Sequence, residues 1–484
     1  MTNVEIPMKK TKIICTMGPQ EEDPVLMRKL FEAGMDVARF NFSHGTHEEQ
    51  LGRIRTLKKV REETKKPVAM LLDTKGPEIR TGILVNHEKV TLEAGNTVTL
   101  TAGDFPGTAE HLSITYDKLC EDVKEGSTVL IDDGLIELKV EKVNGKDILC
   151  RIINGGVVSE RKGINVPGVR TQLPAITEKD VDDILWGISQ GFDIIAASFI
   201  RDAEGVRQIR KLLRDNGSYM PIYSKIECSE ALENIDEIID ESDGIMVARG
   251  DLGVEIPNYE VPYWQKLIIE KCNLAYKPVI TATQMLESMI HKPRPTRAEV
   301  TDVANAIYDG TDAIMLSGET AVGKYPVEAV RLMSQVAENT ETHFDAERFI
   351  LHRTMEESDN ISSAVCIASV RTARNVHAKA IIIPTQFGQT ARLMSNFRPQ
   401  MPMIAVTPNS TVQRRMMAYW GITPVLGEQQ FASADIVQHA ITRAKDMNLI
   451  KVGDLVVITA GDPVTNNVVG VGHTTNMMYV VEVK

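Results

Sequence analysis

The sequence predicts an α/β protein built on a parallel (β/α)8 TIM barrel, with a small β-barrel domain inserted into it and a C-terminal α/β domain after it. Three observations predict this fold. Eight short apolar segments recur along the chain, and each is followed by a helix-like stretch. Outside one long gap, their starts are separated by about the length of a βαβ unit. The gap itself alternates as β-strands do and carries NG and DG turn signals.

The eight apolar segments are rich in β-branched residues and short enough to be strands. In chain order they are KIICT (12–16), DVARFNFS (36–43), VAMLLDT (68–74), FDIIAASF (192–199), PIYSKIE (221–227), GIMVARGD (244–251), KPVITATQ (277–284) and DAIMLSGE (312–319). Eight strands that alternate with helices favour a closed barrel, and a doubly wound open sheet is the alternative.

The long gap predicts a small all-β domain over residues 76–170. It contains the alternating stretches KVTLEAGNTVTLTAG, STVLIDDGLIELKVEKVNG and KDILCRIINGG. Gly76-Pro77 and Pro167-Gly168 punctuate its two ends, as exposed hinges would. The barrel domain is therefore expected to comprise residues 1–75 and 171–345.

Residues 346–484 are expected to form a separate α/β domain. Its predicted strands are AKAIIIPT, MPMIAVTP, DLVVITAG and, at the end, NMMYVVEV, with helical stretches between the first three. The acidic stretch ERFILHRTMEESDN is the predicted connector from the barrel.

Composition excludes several classes of function. The 484 residues carry 54 Lys and Arg against 66 Asp and Glu, a net charge of -12, which disfavours nucleic-acid binding. No apolar run reaches the roughly 20 residues of a membrane-spanning helix, and the N-terminus lacks the apolar core of a signal peptide. The six cysteines form no CxxC pair. We therefore expect a cytoplasmic protein that neither binds nucleic acid nor enters a membrane.

Active sites of such barrels lie at the carboxyl ends of the strands, so polar residues there are the candidates. In DVARFNFSHG the side chains alternate, so Arg39, Asn41 and Ser43 share one face and Phe40 and Phe42 the other. The aromatic rings can then pack outward against helices, while the polar side chains face the barrel mouth. An ordinary strand that ends in a polar turn is the alternative.

Lys225 and Glu227 share a face of the fifth segment, where their burial is costly unless they are paired or bound to a metal. A structural ion pair is the alternative. Asp251 ends the sixth segment, and together with Glu227 it offers two carboxylates of the kind that hold Mg2+ beside a phosphate. Asp73 and Thr74 end the third segment and Thr283 the seventh, while Glu78 and Arg80 lie at the entrance to the inserted domain.

Taken together, these segments closely resemble the pyruvate kinase family. The resemblance is carried by CTMGP, ARFNFSHG, LDTKGPEIRTG, KGINVPG, SKIE, DGIMVARGDLGVEIP and the long TATQMLESM…PTRAE…DVANA run, which span all three proposed domains. It is a resemblance to the bacterial type without an additional C-terminal phosphotransfer domain. It implies transfer of the phosphoryl group of phosphoenolpyruvate to ADP, followed by protonation of the enolate to pyruvate, as the last step of glycolysis.

The resemblance also implies roles for individual residues. Arg39 and Lys225 hold the moving phosphoryl group, and Lys225 also stabilises the enolate oxygen. Glu227 and Asp251 bind Mg2+ (or Mn2+), and Asn41, Ser43, Asp73 and Thr74 match the K+ ligands. The backbone of Gly250 and Asp251, with Thr283, holds the substrate carboxylate. The nucleotide contacts match Asn41, His44, Arg80 and Lys162.

The residue at position 78 is relevant to whether activity requires a monovalent cation. Relatives that need K+ resemble this sequence in having Glu there, whereas those that work without K+ tend to have Lys. The resemblance therefore implies a requirement for K+. Pairing of Glu78 with a neighbouring base at the domain hinge is the alternative.

Two rival functions and the question of regulation remain open from the sequence. The rivals are a class I aldolase with Lys225 as its Schiff-base lysine, and a non-catalytic metabolite sensor. Family members are homotetramers, and the segment PTQFGQTAR resembles their phosphosugar loop, with Thr385, Gly388 and Thr390 as phosphate contacts. However, the late segment ITAGDPVTNNVVGVGHTTN has no Arg or Lys, where relatives activated by fructose 1,6-bisphosphate often place a base. A sugar monophosphate, AMP or no effector therefore stay open.

Overall fold

The computed structural model describes residues 9–346, 360–461 and 475–484 of the chain. The first part of the chain forms two helices between three parallel strands. They are β1 (Lys12–Thr16), α1 (Pro24–Ala33), β2 (Val37–Asn41), α2 (His47–Thr64) and β3 (Ala69–Asp73). Helix α2 begins where it does because Thr46 and Glu49 form a capping box, in which each side chain accepts from the other's backbone N–H.

The inserted segment is almost entirely β-structure. Its elements are β4 (Ile79–Arg80), β5 (Val90–Leu92), β6 (Thr97–Ala102), β7 (His111–Ile114), α3 (Leu119–Asp122), β8 (Thr128–Ile131), β9 (Ile136–Asn144), β10 (Asp147–Asn154), β11 (Gly156–Val158) and β12 (Gly163–Asn165). Seven strands form one sheet in the order β4-β12-β8-β9-β10-β6-β7, and β11 pairs with β5. A bridge between Thr81 and Ile114 joins the two edges of the larger sheet and closes it into the small barrel that was predicted.

The chain then returns to the first barrel and completes it with alternating helices and strands. These elements are α4 (Glu178–Gln190), β13 (Ile194–Ala197), α5 (Ala203–Asp215), β14 (Ile222–Ile226), α6 (Ser229–Glu233), α7 (Ile235–Glu241), β15 (Gly244–Ala248), α8 (Arg249–Glu255), α9 (Val261–Leu274), β16 (Val279–Ala282), α10 (Arg297–Asp309), β17 (Ala313–Leu316), α11 (Gly318–Ala321) and α12 (Pro326–Thr342).

The eight parallel strands close on themselves in the order β1-β17-β16-β15-β14-β13-β3-β2. Each of the eight predicted segments contains one of them, so the TIM barrel is confirmed and the open doubly wound sheet is wrong. The barrel interior is filled by alternate residues of the strands, and a second apolar core lies between the barrel and its helices.

The last part of the chain forms a five-stranded sheet flanked by helices. Its elements are α13 (Ile361–Asn375), β18 (Ala380–Pro384), α14 (Gln389–Asn396), β19 (Met403–Thr407), α15 (Ser410–Arg415), β20 (Ile422–Leu426), α16 (Ser433–Asp446), β21 (Leu455–Ala460) and β22 (Met477–Glu482). The strand order is β20-β19-β18-β21-β22, and only β22 runs antiparallel to its neighbour. Strand β20 is absent from the sequence prediction.

Short 3-10 helices cover Pro19–Glu22, Val85–His87, Asn258–Glu260, Glu287–Ile290 and Met416–Ala418. The predicted connector is residues 347–360, of which 347–359 lie outside the described residues, as does most of the late segment without Arg or Lys. Among the helices in the described ranges, none is both long and apolar enough to cross a bilayer.

The C-terminal domain packs against the end of the barrel where the strands begin. Arg414 Nε donates to Asp193 Oδ1 at 2.7 Å, and Arg398 Nη1 donates to Asp312 Oδ1 at 2.7 Å. Asp193 and Asp312 directly precede β13 and β17. The opposite end of the barrel, where the strands finish, is therefore left to face the inserted domain.

Candidate active site

The alternation predicted for this segment is present as far as Phe42, but β2 ends at Asn41 and Ser43 lies in the turn that follows. The Phe40 and Phe42 rings lie outside the barrel, at centroid distances of 5.3 and 5.8 Å from Phe192. Arg39 points the other way, where its Nε donates to Asp73 Oδ2 on the neighbouring strand at 2.5 Å. Its Nη1 donates to Thr16 Oγ1 at 2.9 Å. A buried arginine is thus fixed at the barrel mouth by partners on both adjacent strands.

Lys225, on β14, is buried among three acceptors. Its Nζ lies 2.7 Å from Glu227 Oε1, 2.8 Å from Ser198 Oγ and 3.1 Å from Asp73 Oδ1. Burial alone would lower the pKa of Lys225, but Asp73 and Glu227 outweigh burial and raise it above its ordinary value. Lys225 is therefore an ammonium ion at neutral pH. A Schiff-base mechanism would require this ammonium group to lose its proton first.

Asp73 is the common partner of Arg39 and Lys225. Its burial disfavours the carboxylate, but the charges and hydrogen bonds of the two bases outweigh burial and lower the pKa of Asp73. Two cationic side chains therefore converge on one buried carboxylate at the mouth of the barrel.

The two carboxylate oxygens of Glu227 have different partners. Its Oε2 accepts from the Phe199 backbone N–H at 2.7 Å. Its Oε1 forms an ion pair with Lys225 Nζ at 2.7 Å and, among the described residues, has no other partner. Burial raises the pKa of Glu227, Lys225 opposes this, and the negative charge of Asp251 adds to it. A buried oxygen beside a second carboxylate is suited to a divalent cation.

Gly250 and Thr283 come together between the ends of β15 and β16. The Gly250 N–H donates to Thr283 Oγ1 at 2.7 Å. Thr283 has a φ of 68°, a left-handed conformation that is unusual for a β-branched residue. Arg249 helps to hold it, because Nη2 donates to the Thr283 carbonyl at 2.7 Å. Arg249 is a site residue that the sequence analysis missed.

The four residues matched to K+ ligands lie at the ends of two paired strands. Asn41 and Asp73 are register partners in β2 and β3. The Ser43 backbone N–H donates to Asn41 Oδ1 at 3.0 Å, and Thr74 Oγ1 accepts from the Ser198 N–H at 3.0 Å. Their oxygens and the single carboxylate form a donor set that fits a large monovalent cation.

A cleft of about 390 Å³ lies between the barrel mouth and the inserted domain. His44, Arg80, Lys162 and Asp251 all line it. Lys162 Nζ lies 2.8 Å from Asp132 Oδ1, within the inserted domain. The cleft therefore brings three of the four residues matched to nucleotide contacts beside Asp251, whereas Asn41 is not among its lining residues.

Glu78 adopts the pairing that was considered as the alternative. Its Oε2 lies 2.7 Å from Arg80 Nη2 and 3.8 Å from Lys75 Nζ, at the start of the inserted domain.

The phosphosugar-like loop borders a second cavity, of about 560 Å³, in the C-terminal domain. Thr385 and Thr390 line it, while Gly388 begins α14 with a φ of 83° and donates its N–H to Thr385 Oγ1 at 3.0 Å. Among the described residues that line this cavity, none is Lys or Arg. A ligand would be held there by hydroxyl, amide and backbone groups.

Two family models match the chain. A model described as pyruvate kinase, barrel domain, matches residues 8–330, and one described as pyruvate kinase, alpha/beta domain, matches residues 363–481.

Individual relatives agree with these matches. A pyruvate kinase of Sporosarcina psychrophila is 50% identical over 477 residues, covering 97% of this chain and 80% of the relative. One of Clostridium acetobutylicum is 48% identical over 475 residues, covering 98% and 99%. The crystal structure of a pyruvate kinase from Cryptosporidium parvum matches with a TM-score of 0.93 and 39% identity, over 99% of this chain and 97% of that one.

Proposed function

The chain belongs to the pyruvate kinase family, and from this premise we propose how the residues at its barrel mouth carry out the family's reaction. The enzyme is a phosphotransferase that moves the phosphoryl group of phosphoenolpyruvate to ADP and forms pyruvate and ATP. The class I aldolase is thereby excluded, as is the non-catalytic sensor.

Arg39 and Lys225 neutralise the phosphoryl group as it moves between the two substrates. Phosphoryl transfer depends mainly on positioning and on stabilising charge, because the protein forms no covalent bond to the group. The single observation that carries this proposal is the convergence of both cations on buried Asp73. Both side chains are buried and fixed by their partners at the barrel mouth, where their positive charges can face an anionic substrate. Lys225 is also paired with Glu227. Lys225 also stabilises the enolate oxygen that forms when the phosphoryl group leaves.

Glu227 and Asp251 would hold Mg2+ (or Mn2+). The fit rests on Glu227 Oε1, a buried carboxylate oxygen paired with Lys225 at 2.7 Å, and on the two hard oxygen donors that Glu227 and Asp251 supply. Such a cation supplies Lewis-acid charge stabilisation to phosphate and enolate oxygens. Asn41, Ser43, Asp73 and Thr74 would hold K+.

The substrates are held from both sides of the cleft. The backbone of Gly250 and Asp251, with the Thr283 hydroxyl, binds the carboxylate of phosphoenolpyruvate. The nucleotide is bound by His44 and Asn41 from the barrel and by Arg80 and Lys162 from the inserted domain. The cleft between the two domains supports this assignment for His44, Arg80 and Lys162, which line it together with Asp251.

We also propose a homotetramer, and a phosphorylated effector at the C-terminal cavity. The effector would be a sugar phosphate or a nucleotide bound through Thr385, Gly388 and Thr390. The absence of Lys and Arg among the described lining residues favours a ligand with a single phosphate over one with two. A cytoplasmic location stays a prediction.

Replacing Lys225 tests the proposed function. Lys225→Met keeps the length of the side chain but removes its charge, so turnover should fall by about 10³-fold, the size expected for a lost transition-state charge. Binding of ADP, measured by calorimetry, should persist because the nucleotide residues are unchanged. A Lys225→Met enzyme that kept most of its turnover would show that the mechanism is assigned to the wrong residue.

A further inference from the structure

Ser198, directly after β13, contacts the proposed catalytic lysine and the proposed K+ ligands together. Its Oγ accepts from Lys225 Nζ at 2.8 Å and lies 2.6 Å from the Thr74 carbonyl and 3.2 Å from Asp73 Oδ1. Its backbone N–H donates to Thr74 Oγ1 at 3.0 Å. Because Ser198 is buried, these bonds are not exchanged with water.

The next residue extends the same turn to the proposed divalent-cation ligand. The Phe199 N–H donates to Glu227 Oε2, and Phe199 has a φ of 52°, a strained conformation for a bulky residue. The backbone of Gly76 packs closely against this turn and holds it in place. A Cβ on Gly76, itself at a φ of 70°, would lie only 2.9 Å from the Phe199 ring and from Ser198 Cβ. The backbone at the hinge is therefore packed directly against Ser198 and Phe199.

Ser198 is the uncharged member of the three acceptors around Lys225. The other two, Asp73 and Glu227, are carboxyl groups that attract the ammonium towards themselves. A lysine side chain has four rotatable carbon–carbon bonds, so its position depends on what its ammonium group contacts. A neutral hydroxyl can fix that position without cancelling the charge that the reaction needs.

We propose that Ser198 is a positioning residue for the phosphoryl transfer, which acts by fixing the Lys225 ammonium at one point between the Asp73 and Glu227 carboxylates. In this scheme the Ser198–Phe199 turn sets Lys225, Glu227 and Thr74 relative to one another through one hydroxyl and two backbone N–H groups. This inference rests on the role proposed above for Lys225.

Ser198→Ala removes the hydroxyl and leaves both backbone N–H groups in place. We expect kcat to fall by about 10- to 100-fold, since a displacement of about 1 Å can cost that much. The KM for phosphoenolpyruvate should change by less than about threefold, because Arg39 and Thr283 still bind the substrate. Mn2+ binding to the substrate-free enzyme, measured by electron paramagnetic resonance, should be unchanged because Phe199 still donates to Glu227.

Ser224→Ala is the matched control. Ser224 precedes Lys225 on the same strand and is equally buried, but its Oγ bonds Ser242 Oγ at 2.6 Å on the far face. It should lose no more than about threefold in kcat. Ser198→Thr, which restores the hydroxyl, should recover part of the activity. If Ser198→Ala does not fold, as judged by its thermal unfolding, the kcat of Ser198→Thr against that of Ser198→Cys decides the question, since a thiol is a weak acceptor.

A double-mutant comparison separates this inference from the proposed function. If Ser198 acts through Lys225, adding Ser198→Ala to Lys225→Met should not reduce the residual rate further. A further tenfold loss in that background would overturn the inference, as would a Ser198→Ala kcat within threefold of the Ser224→Ala value. Parallel losses of Mn2+ binding and stability would show a merely structural role. An active Lys225→Met enzyme would instead overturn the proposed function.

Discussion

Asp73 links the chemistry of the barrel mouth at the scale of single residues. It pairs with Arg39 and Lys225, and it belongs to the proposed K+ site. Lys225 also pairs with Glu227, so the two bases and the two carboxylates balance in charge. Asp73 is the carboxylate that contacts both bases. Its pKa, lowered by these bases against the effect of burial, keeps it ionised over the whole physiological range. A monovalent cation at this carboxylate would therefore add to the positive charge that the substrate phosphate meets.

Activity should require K+ in addition to a divalent cation, and Glu78 should govern this requirement. A positive side chain near the site would replace the charge of K+, but Glu78 supplies none and is paired with Arg80. In Tris or tetramethylammonium buffer with saturating Mg2+, wild-type activity should rise with added KCl. Glu78→Lys should move the enzyme towards K+ independence.

Glu78→Gln is the control for this substitution. It weakens the ion pair with Arg80 without adding a positive charge, so it should keep the K+ requirement. Full wild-type activity without K+ would contradict the cation site. Equal K+ independence in Glu78→Gln and Glu78→Lys would show that loss of the ion pair is responsible.

Individual elements differed in how well the sequence predicts them. The barrel strands were predictable because a parallel strand buried on both faces is a short, continuous apolar run. Strand β20 (ITPVL) was missed because Pro424 interrupts it, although proline is tolerated on an edge strand, which is where β20 lies. The bridge between Thr81 and Ile114 that closes the inserted barrel has no local signal, because it joins residues far apart in sequence.

The same contrast holds for the elements of the site. The charged residues of the site and Thr283 could be predicted because each lies at the end of a predicted strand. Residue type and alternation are both visible in the sequence. The sequence did not show that Asp73 pairs with both Arg39 and Lys225, because that pairing depends on the register between β2, β3 and β14. Ser198 also lies at a strand end and could have been found by the same criterion. The left-handed conformation of Phe199 could not, because it follows from packing at the hinge.

The inserted domain should contribute to nucleotide affinity through Lys162. Its ammonium lines the cleft and pairs with Asp132 on the same domain. Lys162→Ala should raise the dissociation constant of ADP by about 10- to 100-fold, as expected for the roughly 1.5–3 kcal/mol of a hydrogen bond to a charged group. The KM for phosphoenolpyruvate, which is bound by the barrel, should change little. Calorimetric titration with ADP and steady-state kinetics measure the two effects.

Lys139 provides a control on the same domain. It is exposed, and its Nζ bonds Thr128 Oγ1 at 3.2 Å, away from the residues that line the cleft. Lys139→Ala removes the same charge and should leave the affinity for ADP unchanged. Equal losses in both variants would indicate a general effect of the domain's charge, and no loss in Lys162→Ala would remove Lys162 from the nucleotide site.

At the scale of the whole molecule, the two ends of the barrel have different roles, one in domain packing and one in the candidate active site. The ends where strands begin are joined to the C-terminal domain by the buried pair Arg398–Asp312 and the partly buried pair Arg414–Asp193. The ends where strands finish carry the candidate active site and face the inserted domain. Since β13 begins beside Asp193 and finishes beside Ser198, one strand connects the two ends directly.

The chain should assemble as a homotetramer in solution. Family resemblance implies contacts through the barrel and through the C-terminal domain, and two such dyads generate a closed tetramer. The barrel supports this with aromatic side chains exposed on neighbouring elements, Tyr259 before α9, Tyr263 on α9 and Tyr308 on α10, which are 82%, 62% and 46% exposed. Exposed aromatic side chains on neighbouring elements are typical of protein interfaces.

Light scattering at micromolar concentration should therefore give four times the 53.6 kDa mass of one chain. Tyr263→Glu places a charge on the proposed barrel contact and should lower the mass, because an unpaired charge is costly to bury. Tyr219→Glu is the matched control, since Tyr219 is 76% exposed in the loop between α5 and β14 and should tolerate the same charge without dissociation. A wild-type mass of one chain would rule out the tetramer. A tetramer that survives Tyr263→Glu would mean that the barrel contact uses a different face.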